Sequence, residues 1–133
     1  MNIFLDSNII IYLIENAPVF GGLVQVRLEA AQVSGHGFIT SDLAKMETLV
    51  RPLRLVNKTT ERQFRDFFDS DVLKVLPVST TACERAAHIR ARHRLSSMDS
   101  LQLAIAMEAG ADLFLTGDKA LESFPELKVE LVA

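Results

Sequence analysis

The chain has one cysteine, Cys83, so no disulfide can form within it. No cysteine motif surrounds that residue, and between Ala82 and Glu84 it is read as a small packing residue rather than a nucleophile. His36, His88 and His93 share no metal-ligand spacing and adjoin no serine or cysteine motif, which leaves them surface or boundary roles. Glycine is scarce as well: neither Gly21-Gly22 nor Gly35 with Gly37 matches a loop that cradles phosphate, which argues against nucleoside triphosphate binding. No apolar run reaches the length of a membrane span, and the amino terminus lacks the basic and apolar segments of an export signal. A reducing cytoplasm and no membrane are therefore expected.

What the chain does have is a core. Its 133 residues are 49% hydrophobic, enough for one domain over residues 1–133 to bury its own interior. Short apolar strands alternate with helices. Residues 2–5 read as a strand, and Asp6-Ser7 caps a helix through Ile14 that Asn16-Ala17-Pro18 breaks. A helix over 19–33 and a strand over 36–40 follow, and Ser41-Asp42 caps a helix along which Leu43, Met46, Val50 and Leu53 recur at helical spacing. On that wheel Glu47 falls between Leu43 and Val50, so it should face inward or along a seam. Thr59-Thr60 opens a helix with Phe64, Phe67 and Phe68, whose rings are read as packing rather than a base-stacking platform. A strand follows over 72–75, then a helix to about Arg94 with Thr81 and Glu84 as a capping box, and then the Asp99 helix, closed by Gly110. A buried strand over 112–116, a short helix over 118–124 and a strand over 128–132 complete the order. Such alternation predicts an α/β protein, a parallel sheet with helices on both faces.

Charge is unevenly placed. Ten Lys/Arg between Arg51 and Arg94 face only five acids, so this third carries about +5 and the rest about −8. On the helix before Arg94, Arg85, His88 and Arg92 share one face, with Arg90 and Arg94 nearby. The face is either simply solvated or a contact for a phosphate backbone.

Four acids stand out from the rest. Asp6 closes the first apolar run, Asp118 follows Leu113-Phe114-Leu115-Thr116, and Asp99 starts the helical stretch Met98 to Gly110, which is apolar on nearly every side. In an open parallel sheet the ligand crevice lies beyond the carboxyl ends of the strands, where Asp6 and Asp118 both arrive. Asp99 and Glu47 can close the ring. Acids gathered at one point repel one another unless a hard cation joins them, and oxygen-only ligation favours Mg²⁺ or Mn²⁺ over zinc. A plainer reading remains open for three of them: Asp6 and Asp118 also fit helix caps, and Ser96 with Asp99 fits a capping box. Glu47 has no capping use, and its plain alternative is a salt bridge to Arg51 or Arg54.

Leu5-Asp6-Ser7-Asn8-Ile9-Ile10, Ser41 through Glu47-Thr48-Leu49, Met98-Asp99-Ser100-Leu101 through Ala106, and Leu115-Thr116-Gly117-Asp118 together resemble the PIN domain family. At this length the chain looks like the VapC-type ribonuclease toxins of toxin–antitoxin pairs. That resemblance implies a three-layer α/β/α sandwich around a five-stranded parallel sheet, Mg²⁺ or Mn²⁺ in the acidic pocket and hydrolysis of RNA. It maps catalytic and metal-binding roles onto Asp6, Glu47, Asp99 and Asp118, with Ser7, Asn8 and Thr116 in support. Two positions depart from the family pattern: Ser7 stands where threonine is commoner, and Gly117 where asparagine is frequent.

The implied partners are RNA, a small cognate antitoxin and a second copy of the chain. Ile9, Ile10, Tyr12, Leu13, Val19, Phe20, Leu23 and Val24 are the apolar side chains available either to such partners or to the core. Arg85, Arg90, Arg92 and Arg94 are the candidate RNA contacts. Three other functions fit the same residues: a housekeeping PIN nuclease without antitoxin, an enzyme acting on DNA or phosphate monoesters, and a silent domain that binds RNA or protein.

Overall fold

The computed structural model describes residues 1–133. Its strands are β1 (Asn2–Leu5), β2 (Gly37–Ser41), β3 (Leu73–Leu76), β4 (Leu113–Thr116) and β5 (Val129–Leu131). Its helices are α1 (Ser7–Ile14), α2 (Phe20–Val33), α3 (Asp42–Arg54), α4 (Lys58–Asp69), α5 (Thr80–His93) and α6 (Ser97–Glu108). The five strands lie in the order β3-β2-β1-β4-β5, and every neighbouring pair is parallel. The expected α/β fold is present.

Side chains on a strand alternate between faces, and here each face has its own core. Ile3, Leu5, Phe38, Leu73, Leu113 and Leu115 pack beneath α1 to α4, joined by Ile9, Ile10, Phe64 and Phe68. Phe4, Ile39 and Phe114 point the other way, onto Ile89 and Leu103 of α5 and α6. The Phe4 and Phe114 rings stack at 5.2 Å, locking the two central strands in register. Each fully buried ring contributes about 2–3 kcal/mol of transfer free energy. The Arg27 guanidinium on α2 grips Glu130 on β5 through two hydrogen bonds of 2.5 and 3.2 Å, tying a helix to the sheet edge. No helix is long and apolar enough to cross a membrane.

Topology decides where a crevice can form. From β1 the chain moves outward to β2 and β3, then returns to the other side of β1 for β4 and β5. Connections leaving β1 and β4 therefore diverge, opening a gap beyond their carboxyl ends. Asp6 and Asp118 stand at that gap.

Several local expectations shift. Ser79, not Thr81, caps α5, accepting a 3.0 Å bond from the Ala82 amide, and its own hydroxyl donates to Glu108 at 2.6 Å. Asn57, rather than the threonine pair, caps α4. Residues 118–124 hold only a 3₁₀ turn, Lys119–Leu121, too short for a helix. The larger correction concerns α3, whose buried residues are Ala44, Thr48, Leu49 and Pro52, so that Met46, Val50 and Leu53 form an exposed apolar strip. Leu43 and Leu49 reach the core from this helix, and Met46, Val50 and Leu53 are left outside.

Candidate active site

Asp6 follows β1 directly, and its amide donates to the Leu115 carbonyl at 3.0 Å, extending the β1–β4 pairing by one residue. That bond brings the carboxylate to the switch point with only 6% of the residue exposed. Oδ1 accepts the Ser7 amide at 2.8 Å, the capping bond of α1. Oδ2 accepts the Thr116 hydroxyl at 2.7 Å, and the Asn8 amide nitrogen lies 3.4 Å away. The Thr116 oxygen in turn accepts the Asp118 amide at 3.0 Å, while Asn8 Oδ1 accepts the Gly117 amide at 2.9 Å. Asn8 and Thr116 thus link Asp6 to the turn that carries Asp118.

Burial pushes the Asp6 carboxyl from an ordinary 3.8 up to about 6. Hydrogen bonds from Thr116 and the Ser7 amide oppose that rise, and the negative charges of Asp99 and Glu47 add to it. Asp99 is raised as well, first by burial, against its hydrogen bonding to Ser96, and with the charge of Asp118 adding. Charges that influence one another this way share one region of the structure. The charges of Asp99 and Glu47 reach Asp6, and that of Asp118 reaches Asp99.

The capping expectation is met around all three of these acids. Asp6 caps α1, Asp118 caps the 3₁₀ turn by accepting the Ala120 amide at 2.9 Å, and Ser96 caps α6 by accepting the Asp99 amide at 3.0 Å. Glu47 separates the alternatives, because it forms no salt bridge with Arg51, Arg54 or any other cation. Its Oε1 accepts the Ser7 hydroxyl at 2.5 Å, which draws the acid toward the start of α1. On the wheel of α3 it lies at the border of the buried arc.

One residue that the sequence patterns passed over completes this side. Gln102, 1% exposed on α6, donates from its amide nitrogen to the Ser7 oxygen at 3.1 Å, and its carbonyl oxygen accepts the Ser41 hydroxyl. The available signal was a lone amide one helical turn beyond Asp99 in the apolar run Leu101 to Ala106.

Gly117, the departure from the usual asparagine, has a steric cause. A Cβ there would sit 2.7 Å from Tyr12 Cε2, so the phenol ring of α1 occupies the space a side chain would need. Tyr12 also stacks on Phe20 at 5.0 Å, which holds the ring in place.

The donor set consists of oxygen atoms, which suits a hard divalent cation. No three His, Cys, Asp or Glu side chains are already drawn in around a single ion position. Mg²⁺ does not need that arrangement, since it keeps several waters and takes one or two carboxylates together with substrate phosphate. Asp6 and Asp99, with Asp118 and Glu47 alongside, fit such a group.

The candidate RNA-binding arginines divide. Arg90 holds the α5–α6 turn closed, donating to the Leu95 carbonyl at 3.2 Å and to the Ser97 hydroxyl at 2.9 Å. Arg92 lies 3.9 Å from Glu126, whereas Arg85 and Arg94 have no ion-pair partner. Of the apolar set in the first two helices, Ile9, Ile10 and Val24 are core, while Val19 and Leu23 are exposed.

The PIN domain family model matches residues 3–127. The chain belongs to the PIN domain family. Solved PIN-toxin structures share its fold at low identity. A chain of the VapBC2 complex from Rickettsia felis, bound to a DNA fragment from its promoter, superposes with a TM-score of 0.80 at 18% identity, covering 98% of both chains. A toxin–antitoxin complex from Klebsiella pneumoniae gives 0.76 at 20% identity over 98% of this chain and 97% of that one. VapC20 from Mycobacterium tuberculosis, a toxin that cleaves the sarcin–ricin loop, gives 0.74 at 22% identity over 95% and 98%. No curated protein matches by sequence.

Proposed function

We propose that this PIN domain is a metal-dependent endoribonuclease, the toxin of a VapBC-type pair, and that Asp6, Glu47, Asp99 and Asp118 are its catalytic and metal-binding residues. One observation carries the reading: a buried Asp6, raised to about 6, is met by further carboxylates and by no cation of the chain. A structural ion pair would have supplied an arginine or lysine. Keeping an acid this costly is explained by a cation that the substrate complex brings.

A bound Mg²⁺ or Mn²⁺ supplies neutralising charge at the phosphate and lowers the pKa of a nearby water. The protein's part is to aim oxygen atoms. Thr116 and the Ser7 amide occupy one lone pair on each oxygen of Asp6, which prevents rotation of the carboxylate. The Ser96 cap fixes the backbone that carries Asp99, and the Thr116–Asp118 bond fixes the turn that carries Asp118. Glu47, oriented by Ser7, positions or deprotonates the attacking water. Arg85 and Arg94, free of ion pairs, contact the flanking phosphates, with Arg92 as a lesser contributor.

Similarity to toxin–antitoxin complexes supports a cognate antitoxin as the partner. Exposed Val19 just before α2, Leu23 and Val26 on α2, and Met46, Val50 and Leu53 on α3 are the apolar side chains available to it and to a second copy of the chain. The protein acts in the cytoplasm, where its RNA substrate is found.

The test compares an RNA strand with the DNA strand of the same sequence, each with Mg²⁺, Mn²⁺ or chelator, for the wild type and Asp99→Asn. The expected result is metal-dependent scission of RNA alone, reduced at least about 100-fold in the variant. Equal cutting of DNA would reassign the substrate, and undiminished cleavage by Asp99→Asn would remove the centre from this pocket.

A further inference from the structure

The Gln102 side chain is almost fully buried on a helix whose next four residues, Leu103 to Ala106, are also buried and apolar. An amide in such a place is costly unless both ends are bonded, and here both are. The bonds run in one direction. The Ala44 amide donates to Ser41, Ser41 donates to the Gln102 carbonyl oxygen, the Gln102 amide nitrogen donates to Ser7, and Ser7 donates to Glu47. A serine has a single hydroxyl proton and an amide nitrogen cannot accept, so the Ser7 proton is forced toward Glu47. Turning the amide over would draw that proton to Gln102 and leave a Ser7 lone pair facing a carboxylate oxygen 2.5 Å away. Only one orientation satisfies the whole array.

The array also joins separate parts of the site. Ser7 begins α1, Ser41 ends β2, Glu47 is on α3, and Gln102 lies one turn beyond Asp99 on α6. We infer that Gln102 is a positioning residue: by ordering the Ser7 proton it commits Glu47 Oε1 to an internal bond, leaves Oε2 free, and ties the Asp99 end of α6 to the ends of β1 and β2. This rests on the reading of Glu47 and Asp99 as parts of the metal centre.

The experiment uses the full chain. Gln102→Met keeps the volume and removes both bonds, and Gln102→Glu keeps two acceptors for the serines but removes the donor to Ser7. Circular dichroism checks folding, and if the Met variant does not fold, the Glu variant alone carries the test. Mn²⁺ affinity is read by paramagnetic counting of free ion, and RNA cleavage is resolved into kcat and KM. Folded Gln102 variants should bind Mn²⁺ or turn over about 10–100-fold less well, with KM for RNA within about twofold of wild type. In a Ser7→Ala background the Gln102→Met effect should shrink to within about twofold, since its route through Ser7 is already lost. Wild-type Mn²⁺ affinity and kcat in both folded variants, or full additivity with Ser7→Ala, would overturn the inference while leaving the nuclease reading intact. A wild type that neither binds Mn²⁺ nor cleaves RNA would overturn both.

Discussion

Asp6 and Glu47 both bond to Ser7, yet different kinds of structure hold them. Every polar partner of the Asp6 side chain comes from two short runs, Asp6-Ser7-Asn8 and Thr116-Gly117-Asp118, each leaving the end of a central strand. Parallel pairing of β1 with β4 brings those runs together, so the Asp6 side is assembled as soon as the sheet forms. Glu47 meets those runs only through Ser7. Its placement needs Ser7, Ser41 and Gln102 from three other elements, all docked at once. The Asp6 side is rigid and electrostatically strained, whereas the Glu47 side is a relay that depends on packing.

Replacing the strained acid should separate stability from activity most strongly. Asp6→Asn should abolish metal-dependent RNA cleavage, by about 100-fold or more, while the metal-free protein gains roughly 1–3 kcal/mol at neutral pH. The sign follows from the raised pKa: stability from a protonated Asp6 is complete below its ordinary 3.8 and is lost as pH rises to about 6. Urea midpoints across that interval should fall in the wild type and lose this component in Asp6→Asn. Equal slopes in the two proteins would contradict the strained state of Asp6.

A smaller effect is expected one bond away. Thr116→Val keeps the shape but deprives Asp6 of its hydroxyl donor and the Asp118 amide of its acceptor, at a cost of about 2 kcal/mol. The Asp6 pKa should move above about 6, since the strongest influence lowering it is gone. Carboxyl-carbon NMR titration reads this directly, and an unmoved midpoint would mean that Thr116 does not hold Asp6. The smallest change in stability belongs to the other side. Glu47→Gln retains an oxygen for Ser7 to bond, so denaturation should shift by less than about 1 kcal/mol while cleavage falls about tenfold or more. A stability loss matching that of Thr116→Val would erase the distinction between the two sides.

The same contrast separates what could be read from the chain and what could not. Strand-then-acid runs are local patterns, so the places of Asp6 and Asp118 after strands and the parallel α/β architecture were legible, and the PIN match agrees with that architecture. Helix boundaries were less so, because competing hydroxyls stand near each start, and only packing selects Ser79 over Thr81 or Asn57 over Thr59. The helical wheel singles out Glu47 but assigns Met46, Val50 and Leu53 to the buried side of α3, where the structure has Ala44, Thr48, Leu49 and Pro52. Spacing reports periodicity, but it does not say which arc meets the neighbouring helices.

By itself, then, the order of residues determined the sheet, the two central acids at its carboxyl edge and the family, since strand periodicity and turn chemistry act over a few positions. Only the folded molecule decided that Gln102 reaches Ser7 and Ser41, that Arg90 closes a turn, and that Tyr12 takes the space above Gly117. Apart from the Arg90 bonds, which span five and seven residues, those contacts join residues far apart in the chain. Their partners are chosen by how whole helices dock, which no short pattern encodes.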